Sequence, residues 1–478
     1  MTPRLSDRHR RSRPAAPRRG GEGYYEDDDG DPASGGGGGG SVLGASLLFA
    51  GTAVGAGAVA LPAETADAGF GPSAFGLFLC WAYTYVTSLV TLEASWLSSS
   101  SSSGAAASSS ARGDDHGGGG GAGFLSISRM SLGPTGEAIT AALFWFLLTA
   151  IIVAYTSEGG ALISRIGKVF ASADIDPAFG SSLFAAPFAC LAVRGTSGVD
   201  AVNRVFVFGL VVAFVGLVVI GLPNVEVSNL TNIADWGNVY PRVISIGILS
   251  LGAQNVVPTL LQYLDYNTMK TRSAILLGSL LPLVLYTIWE AIFLGVVDPS
   301  NADGTKVEAM AVLGRVGGSV AYDLAEVFSF CAIGSSMAGA SVSLVDFFQD
   351  GINMLKSGGD SLNGVSSYSS SEEGSLEAGN LKSRILATAL ALGPPVVLAY
   401  AFPDLFLVAL EEAGLLGGVS LYGIIPAISI LSLRHKSSSE VTNGRTEMPG
   451  RLGGGNFALI ALVAVSLALV FPEIRKLL

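Results

Sequence analysis

A chain of 478 residues is long enough for two or three soluble domains, yet half of it is hydrophobic and only 14% is charged, against about 25% in soluble domains. A soluble body of this size has too little interior for so much apolar side chain, so lipid must solvate the excess. The net charge of −11 argues against nucleic acid as a partner. The three histidines, His9, His116 and His435, all sit in polar stretches, which removes zinc sites and histidine-based catalytic pairs from the apolar core; no cofactor and no enzyme activity are expected.

Residues 1–40 hold a basic stretch (Arg4, Arg8, Arg10, Arg11, Arg13, Arg18, Arg19), an acidic run at Glu26–Asp31 and six glycines at 35–40. Nothing in them can bury a core, and disorder is expected. Asp7 alone interrupts the basic character of the first 20 residues, which suits a cleaved transit segment; a cytoplasmic basic tail suits it too. The compartment is therefore open between a plasma membrane and a plastid envelope.

About 20 apolar residues cross the hydrocarbon core of a bilayer as a helix. Within a membrane domain at 41–473 that condition is met roughly at 41–63, 73–97, 137–158, 178–193, 203–222, 241–264, 273–297, 321–350, 383–401, 414–433 and 456–473, the fourth being short. The fold class is thus an all-α membrane protein of about eleven spans, with the lipid bilayer as its solvent. Low-complexity loops fall at 98–123, 357–380 and 434–455. The segment 402–413, with Asp404, Glu411 and Glu412, is too charged to span and reads as a short helix or re-entrant turn. Cys80, Cys190 and Cys331 all lie in apolar segments and are expected as buried free thiols. With a cytoplasmic N-terminus, Arg112, Arg129, Arg194, Arg204, Lys270, Arg272, Lys382, Arg384 and Arg434 fall inside. Fewer cations, among them Arg165, Lys168, Arg242, Lys306 and Arg315, fall outside, the sign the positive-inside rule requires.

Two spans carry expensive sequences. The first contains Gly51-Thr52-Ala53-Val54-Gly55-Ala56-Gly57 and then Pro62; the sixth contains Gly252-Ala253-Gln254-Asn255 and Pro258. Glycine costs about 1 kcal/mol and proline about 3 in a helix interior relative to alanine, and hydrocarbon tolerates broken backbone only where it packs in protein or lines a polar cavity. Interrupted helices at matching positions of two halves mark a five-plus-five inverted-repeat transporter with its site at the midplane. Small residues that merely permit close helix packing account for Gly51 and Gly55, but not for two amides beside Pro258. An unwound stretch offers amide N–H groups and a half-helix N-terminus to a carboxylate, and carbonyls to an ammonium group or sodium ion. A zwitterionic amino acid suits such a site better than a sugar or nucleobase.

At these residues the sequence resembles the hydroxy/aromatic amino acid permease family, the tryptophan/tyrosine permeases of the amino acid–polyamine–organocation superfamily. The likeness runs through Gly51–Gly57, Ala60-Leu-Pro62-Ala-Glu64-Thr65, Gly69-Phe-Gly-Pro-Ser73, Gly195-Thr196 and Val199-Asp200-Ala-Val-Asn203-Arg204. It continues in a long block from Val257-Pro258 to Gly295 that includes Lys270, Arg272, Gly278, Pro282, Tyr286 and Trp289-Glu290. The resemblance implies eleven spans and proton-driven uptake of tyrosine or tryptophan. By position it implies a substrate site formed by Thr52, Gly55, Ala56 and Gly57 in the first half and Gly252, Gln254 and Asn255 in the second. Bacterial relatives often carry an aromatic-His-Gly triplet where this chain has Ala253-Gln254-Asn255, which deletes an aromatic contact and a titratable group.

Other polar residues in the spans are candidates of a second rank. Intramembrane carboxylates are functional by default because a lone charge there is costly. Glu93 and Glu290 are therefore candidate proton carriers, whereas Glu158, Asp323 and Glu326, near span ends, read as interfacial or salt-bridged packing residues. Ser335 and Ser336 in span eight could join a sodium site, although serine in such a helix more often bonds a neighbouring helix. Tyr155 in span three is a candidate lid over the substrate or an interface anchor. Asn229-Leu-Thr231 matches a glycosylation acceptor. A passive facilitator, a sodium-coupled carrier and a transporter-like sensor remain the alternatives to proton symport.

Overall fold

The computed structural model describes residues 40–105, 120–232, 235–296, 309–360, 373–439 and 455–477. The tail at 1–39, with its expected disorder and possible transit segment, lies outside the described residues, as do His9, His116 and most of the three polar insertions. The described chain is helical throughout, and ten helices plus one bent pair are long and apolar enough to cross a membrane.

The first span is that bent pair. Ser41 caps it, its hydroxyl accepting the Gly44 amide hydrogen at 3.0 Å. Helix α1 (Val42–Ala53) stops at Val54, whose backbone turns extended, and α2 (Gly57–Thr65) restarts at an angle of 55°. Helices α3 (Phe70–Ala105), α4 (Gly120–Ala171), α5 (Pro177–Arg194) and α6 (Thr196–Gly221) complete the first five spans. A short helix α7 (Val227–Asn232) leads to the second broken span. There α8 (Arg242–Leu251) ends at an extended Gly252, a single 3-10 turn covers Gln254–Val256, and α9 (Val257–Tyr263) follows with Pro258 in its first turn, where a missing N–H costs nothing. Helices α10 (Thr268–Val296), α11 (Ala309–Asp360) and α12 (Glu373–Ala401) follow. The tenth span joins α13 (Phe406–Glu412), a π-helical stretch Ala413–Ile424 and α14 (Ile425–Ser439), and α15 (Gly455–Leu477) closes the chain. Two sets of five spans, each opened by a broken helix, thus precede a final span.

Packing follows from where the side chains are small or aromatic. Gly278 of α10 faces Phe49 and the Ser46 carbonyl of α1, and Gly160 and Gly180 bring α4 and α5 to backbone contact. Trp289 is fully buried between Phe214 and Phe328, with ring centroids at 5.9 and 5.2 Å. Outward, α6 exposes Val205, Phe208, Val212, Val215 and Val219, a face that only lipid can cover. Ion pairs pin the helix ends: Arg165 to Glu158 and Glu326, both at 2.9 Å, Arg242 to Asp67 at 2.6 Å, and Arg384 to Asp346 at 3.0 Å.

Three expectations need correction. The segment 402–413 is not separate from the spans: its short helix α13 runs without a break into the tenth span, Phe406–His435. Its charge is tolerated because Glu411 and Glu412 lie in the first two turns, near the end of the span, and neither is fully buried. Cys80 and Cys331 are buried free thiols, but Cys190 is exposed on α5, since an apolar segment that faces lipid buries only one side. Helices also extend into the polar insertions, α3 to Ala105 and α14 to Ser439, because serine and alanine continue a helix once a span has nucleated it. Asn229 of the glycosylation tripeptide is half-buried, its amide donating to the Gly295 carbonyl at 3.0 Å.

Candidate functional site

The break in the first span is where four helices converge. Glycine at 55 keeps room for its neighbour: a β-carbon there would overlap the Ser336 hydroxyl of α11 and displace it. One at Gly57 would overlap Ser250 of α8, so glycine lets the restarting α2 press against the other broken span. The Ala56 amide donates to Ser336 Oγ at 3.1 Å, and the phenol of Tyr155, buried on α4, lies beside the same hydroxyl. From α10 the Tyr286 hydroxyl donates to the Ala53 carbonyl at 3.0 Å and accepts the Gly55 amide at 3.4 Å. One helix turn on, Trp289 Nε1 donates to the Ala58 carbonyl at 2.8 Å. The Thr65 hydroxyl donates to Glu290 at the far end of α2.

Of the residues expected at the substrate site, Gly55, Ala56 and Tyr155 meet here, joined by Ser336, which was a candidate for an ion site, and Gly57 stands against Ser250 of α8. Thr52 does not join them: it is exposed, and its hydroxyl donates to the Leu48 carbonyl of its own helix at 2.9 Å. At the second break Gly252 and Asn255 are half-buried. Gln254 is fully buried and turned toward α3, its amide donating to Thr87 Oγ at 2.8 Å and more weakly to the Thr84 carbonyl at 3.4 Å. It tethers the broken span to α3.

The ion-coupling candidates are scattered. Ser335 and Ser336 point different ways, Ser335 donating to Asn203 Oδ1 of α6 at 2.5 Å. Glu93 is buried against Arg434 of α14 at 2.5 Å, and Arg434 also donates to Asn456 of α15 at 3.1 Å. Glu290 is fully buried, with Thr65 on one oxygen and no hydrogen-bond partner for the other among the described residues. Glu158 and Glu326 share Arg165, the salt-bridged packing role expected of them.

Tyr286, Trp289, Thr65, Thr87 and Asn203 were given no role on sequence grounds. The spacing of Tyr286, Trp289 and Glu290 was a usable signal, since positions i, i+3 and i+4 share one helix face and none of the three suits a lipid-facing surface. Chemically, the Ala56 amide at the half-helix N-terminus is occupied by the Ser336 hydroxyl and the Gly55 amide by that of Tyr286, so a carboxylate would have to replace a neutral hydroxyl at the positive end of α2. The carbonyls at the end of α1 suit an ammonium group.

Known proteins share this architecture. The profile of the tryptophan/tyrosine permease family matches residues 39–471. The tyrosine-specific transport system 1 of Haemophilus influenzae is 25% identical over 434 residues, covering 88% of this chain and 94% of that protein. The tryptophan-specific transport protein of Pseudomonas aeruginosa is 24% identical over 440 residues, covering 90% and 93%. The crystal structure of MhsT in complex with L-phenylalanine superposes with a TM-score of 0.57 at 14% identity, covering 90% of this chain and 97% of that one, a likeness of fold. An all-α, multi-pass membrane protein with broken first and sixth spans, matched from end to end of its membrane domain, this chain belongs to the tryptophan/tyrosine permease family and is a transporter, not an enzyme.

Proposed function

We propose that the protein carries an aromatic amino acid, tyrosine or tryptophan, across the membrane together with a proton, by alternating access. The observation that carries this reading is the first break, where the Ala56 amide, Ser336 and Tyr155 meet without a charged side chain among them. In this reading the substrate carboxylate takes over the amide end of α2 from the Ser336 hydroxyl that fills it here, its ammonium group takes backbone carbonyls at the breaks, and Gly252 and Asn255 complete the site from the second broken span. The names of the tyrosine- and tryptophan-specific relatives support an aromatic side chain.

Coupling to a proton is favoured over sodium for two reasons. Ser335, the second hydroxyl needed on α11, is engaged with Asn203, and Glu290 offers a buried carboxylate next to α2. The test is uptake of labelled tyrosine and tryptophan into proteoliposomes, with proton and sodium gradients imposed separately. Saturable accumulation under the proton gradient is the expected result. Accumulation of neither amino acid under either gradient defeats the reading, and accumulation under sodium alone defeats its coupling part.

A further inference from the structure

Pro62 sits inside α2, six residues into a nine-residue helix. Proline has no N–H, so the carbonyl four residues earlier loses its helical donor, and the ring pushes that carbonyl outward. That carbonyl belongs to Ala58. It receives the indole Nε1–H of Trp289 at 2.8 Å instead, from a tryptophan that is itself fully buried. A buried carbonyl without a partner is costly, so the indole replaces the hydrogen bond that proline deletes.

The same face of α10 treats the other end of the break in the same way. Between α1 and α2 the helical ladder is interrupted, and Tyr286 supplies a donor to Ala53 and an acceptor to Gly55 through one hydroxyl. Glu290, next to Trp289, holds Thr65 at the end of α2. Three residues on one helix face thus meet the freed backbone of α1, the freed backbone of α2, and the last residue of α2. Their attachment points span the segment whose bend sets where the Gly55 and Ala56 amides stand.

We propose that this face of α10 is the positioning element of the carrier's substrate site: Trp289 and Tyr286 fix the bend of the first span by supplying the hydrogen bonds its sequence removes, so that the broken backbone holds its shape before the substrate arrives. The proposal rests on the reading of the first break as the substrate site. It concerns residues that act through the backbone of α1 and α2 and touch no substrate themselves.

The test uses the full-length protein in proteoliposomes and whichever of tyrosine and tryptophan the unaltered protein accumulates. Trp289→Phe keeps an aromatic ring in the packed pocket and deletes only the donor; it should raise KM roughly tenfold, the weight of one net hydrogen bond, with maximal rate nearly unchanged. Pro62→Ala restores a backbone N–H to Ala58, so the pair Trp289→Phe/Pro62→Ala should regain most of the lost affinity, and Pro62→Ala alone should transport like the parent. Tyr286→Phe should raise KM too, and Pro62→Ala should not rescue it, because the missing donor then lies at Ala53. Melting of the purified variants in detergent gives a second, substrate-free measure of the same rescue. It keeps this inference separate: if the parent transports neither amino acid, the substrate reading fails while the rescue of melting is still read. An unchanged KM and melting temperature for Trp289→Phe, or a double variant no better than the single, overturns the proposal. So does a Pro62→Ala variant that loses transport, since the proline bend rather than the missing donor would then set the geometry.

Discussion

Ser336 of α11 accepts the Ala56 amide at 3.1 Å across 280 residues of sequence, joining a helix of the second half to the broken helix of the first. The bond places a neutral hydroxyl on an amide that the helix break leaves without a helical acceptor, with the Tyr155 phenol alongside. Ser336→Ala removes the hydroxyl and leaves the amide without its partner, which costs about 1 kcal/mol when one hydrogen bond is lost. Uptake kinetics should show KM raised roughly five- to tenfold with expression unaffected. A parental KM would mean that the substrate does not meet this part of α11.

Gly55 and Gly57 make a steric prediction that conformational preference alone does not. A methyl group at 55 overlaps the Ser336 hydroxyl, and one at 57 overlaps Ser250. Gly57→Ala should abolish uptake, and Gly55→Ala, whose methyl meets a rotatable hydroxyl, should weaken it. Because the clash at 57 is with one side chain, Gly57→Ala/Ser250→Gly should recover part of the activity and the melting temperature. Recovery absent from both measurements would show that the glycine serves backbone freedom rather than close approach of α2 and α8.

The crossings, the two interruptions and the glycines between them were legible because lipid punishes broken backbone, so their presence in an apolar run is informative by itself. The pairing partners were not. Nothing in Gln254 says that its amide faces Thr87 of α3 rather than the cavity, since a helix break removes the 3.6-residue periodicity that would fix the side chain's direction. Likewise Arg434, near the end of an apolar segment, reads as a topology signal, and only the packing of α14 on α3 reveals that it meets Glu93. Trp289 is the instructive case: Pro62 announces an orphaned carbonyl at Ala58, but its donor lies 231 residues away.

Asn255 is half-buried at the second break, beside the extended Gly252. Replacing its amide by an apolar group of similar size, Asn255→Leu, removes both donor and acceptor from the break without changing the volume much. Substrate binding, measured by labelled ligand on purified protein, should be lost while the yield of folded protein is retained. Unchanged uptake would remove the second break from the site.

Glu93 and Arg434 form a buried pair between α3 and α14, both side chains less than a tenth exposed. Breaking such a pair by removing one partner leaves an uncompensated charge and costs about 3–5 kcal/mol, whereas replacing both with apolar residues is far milder. Arg434→Met should therefore lower the melting temperature strongly, and Glu93→Met/Arg434→Met should recover most of it. Gradient-driven uptake by the double variant should persist, since the pair serves the packing of α14 on α3. Loss of coupling in a stable double variant would instead make Glu93 the carrier.

Glu290 is the carboxylate on which the proton reading turns. It is fully buried, bonded to Thr65 at the end of α2, and has no cation partner among the described residues. An ionised carboxylate in such a setting costs several kcal/mol, so its charge state and the packing of α2 against α10 are linked: a conformation that wets this face favours ionisation, and one that closes it favours the proton. Glu290→Gln keeps the shape and the bond to Thr65 but fixes the group as neutral. Exchange of internal for external substrate, which needs no net proton movement, should stay within about threefold of the parent, the weight of less than one hydrogen bond. Accumulation driven by a proton gradient should be lost. If the variant accumulates substrate as the parent does, the proton rides elsewhere and Glu290 is left with the anchoring of α2. If exchange disappears as well, the residue is needed for the alternation itself, and the assignment of a purely coupling role to it is wrong.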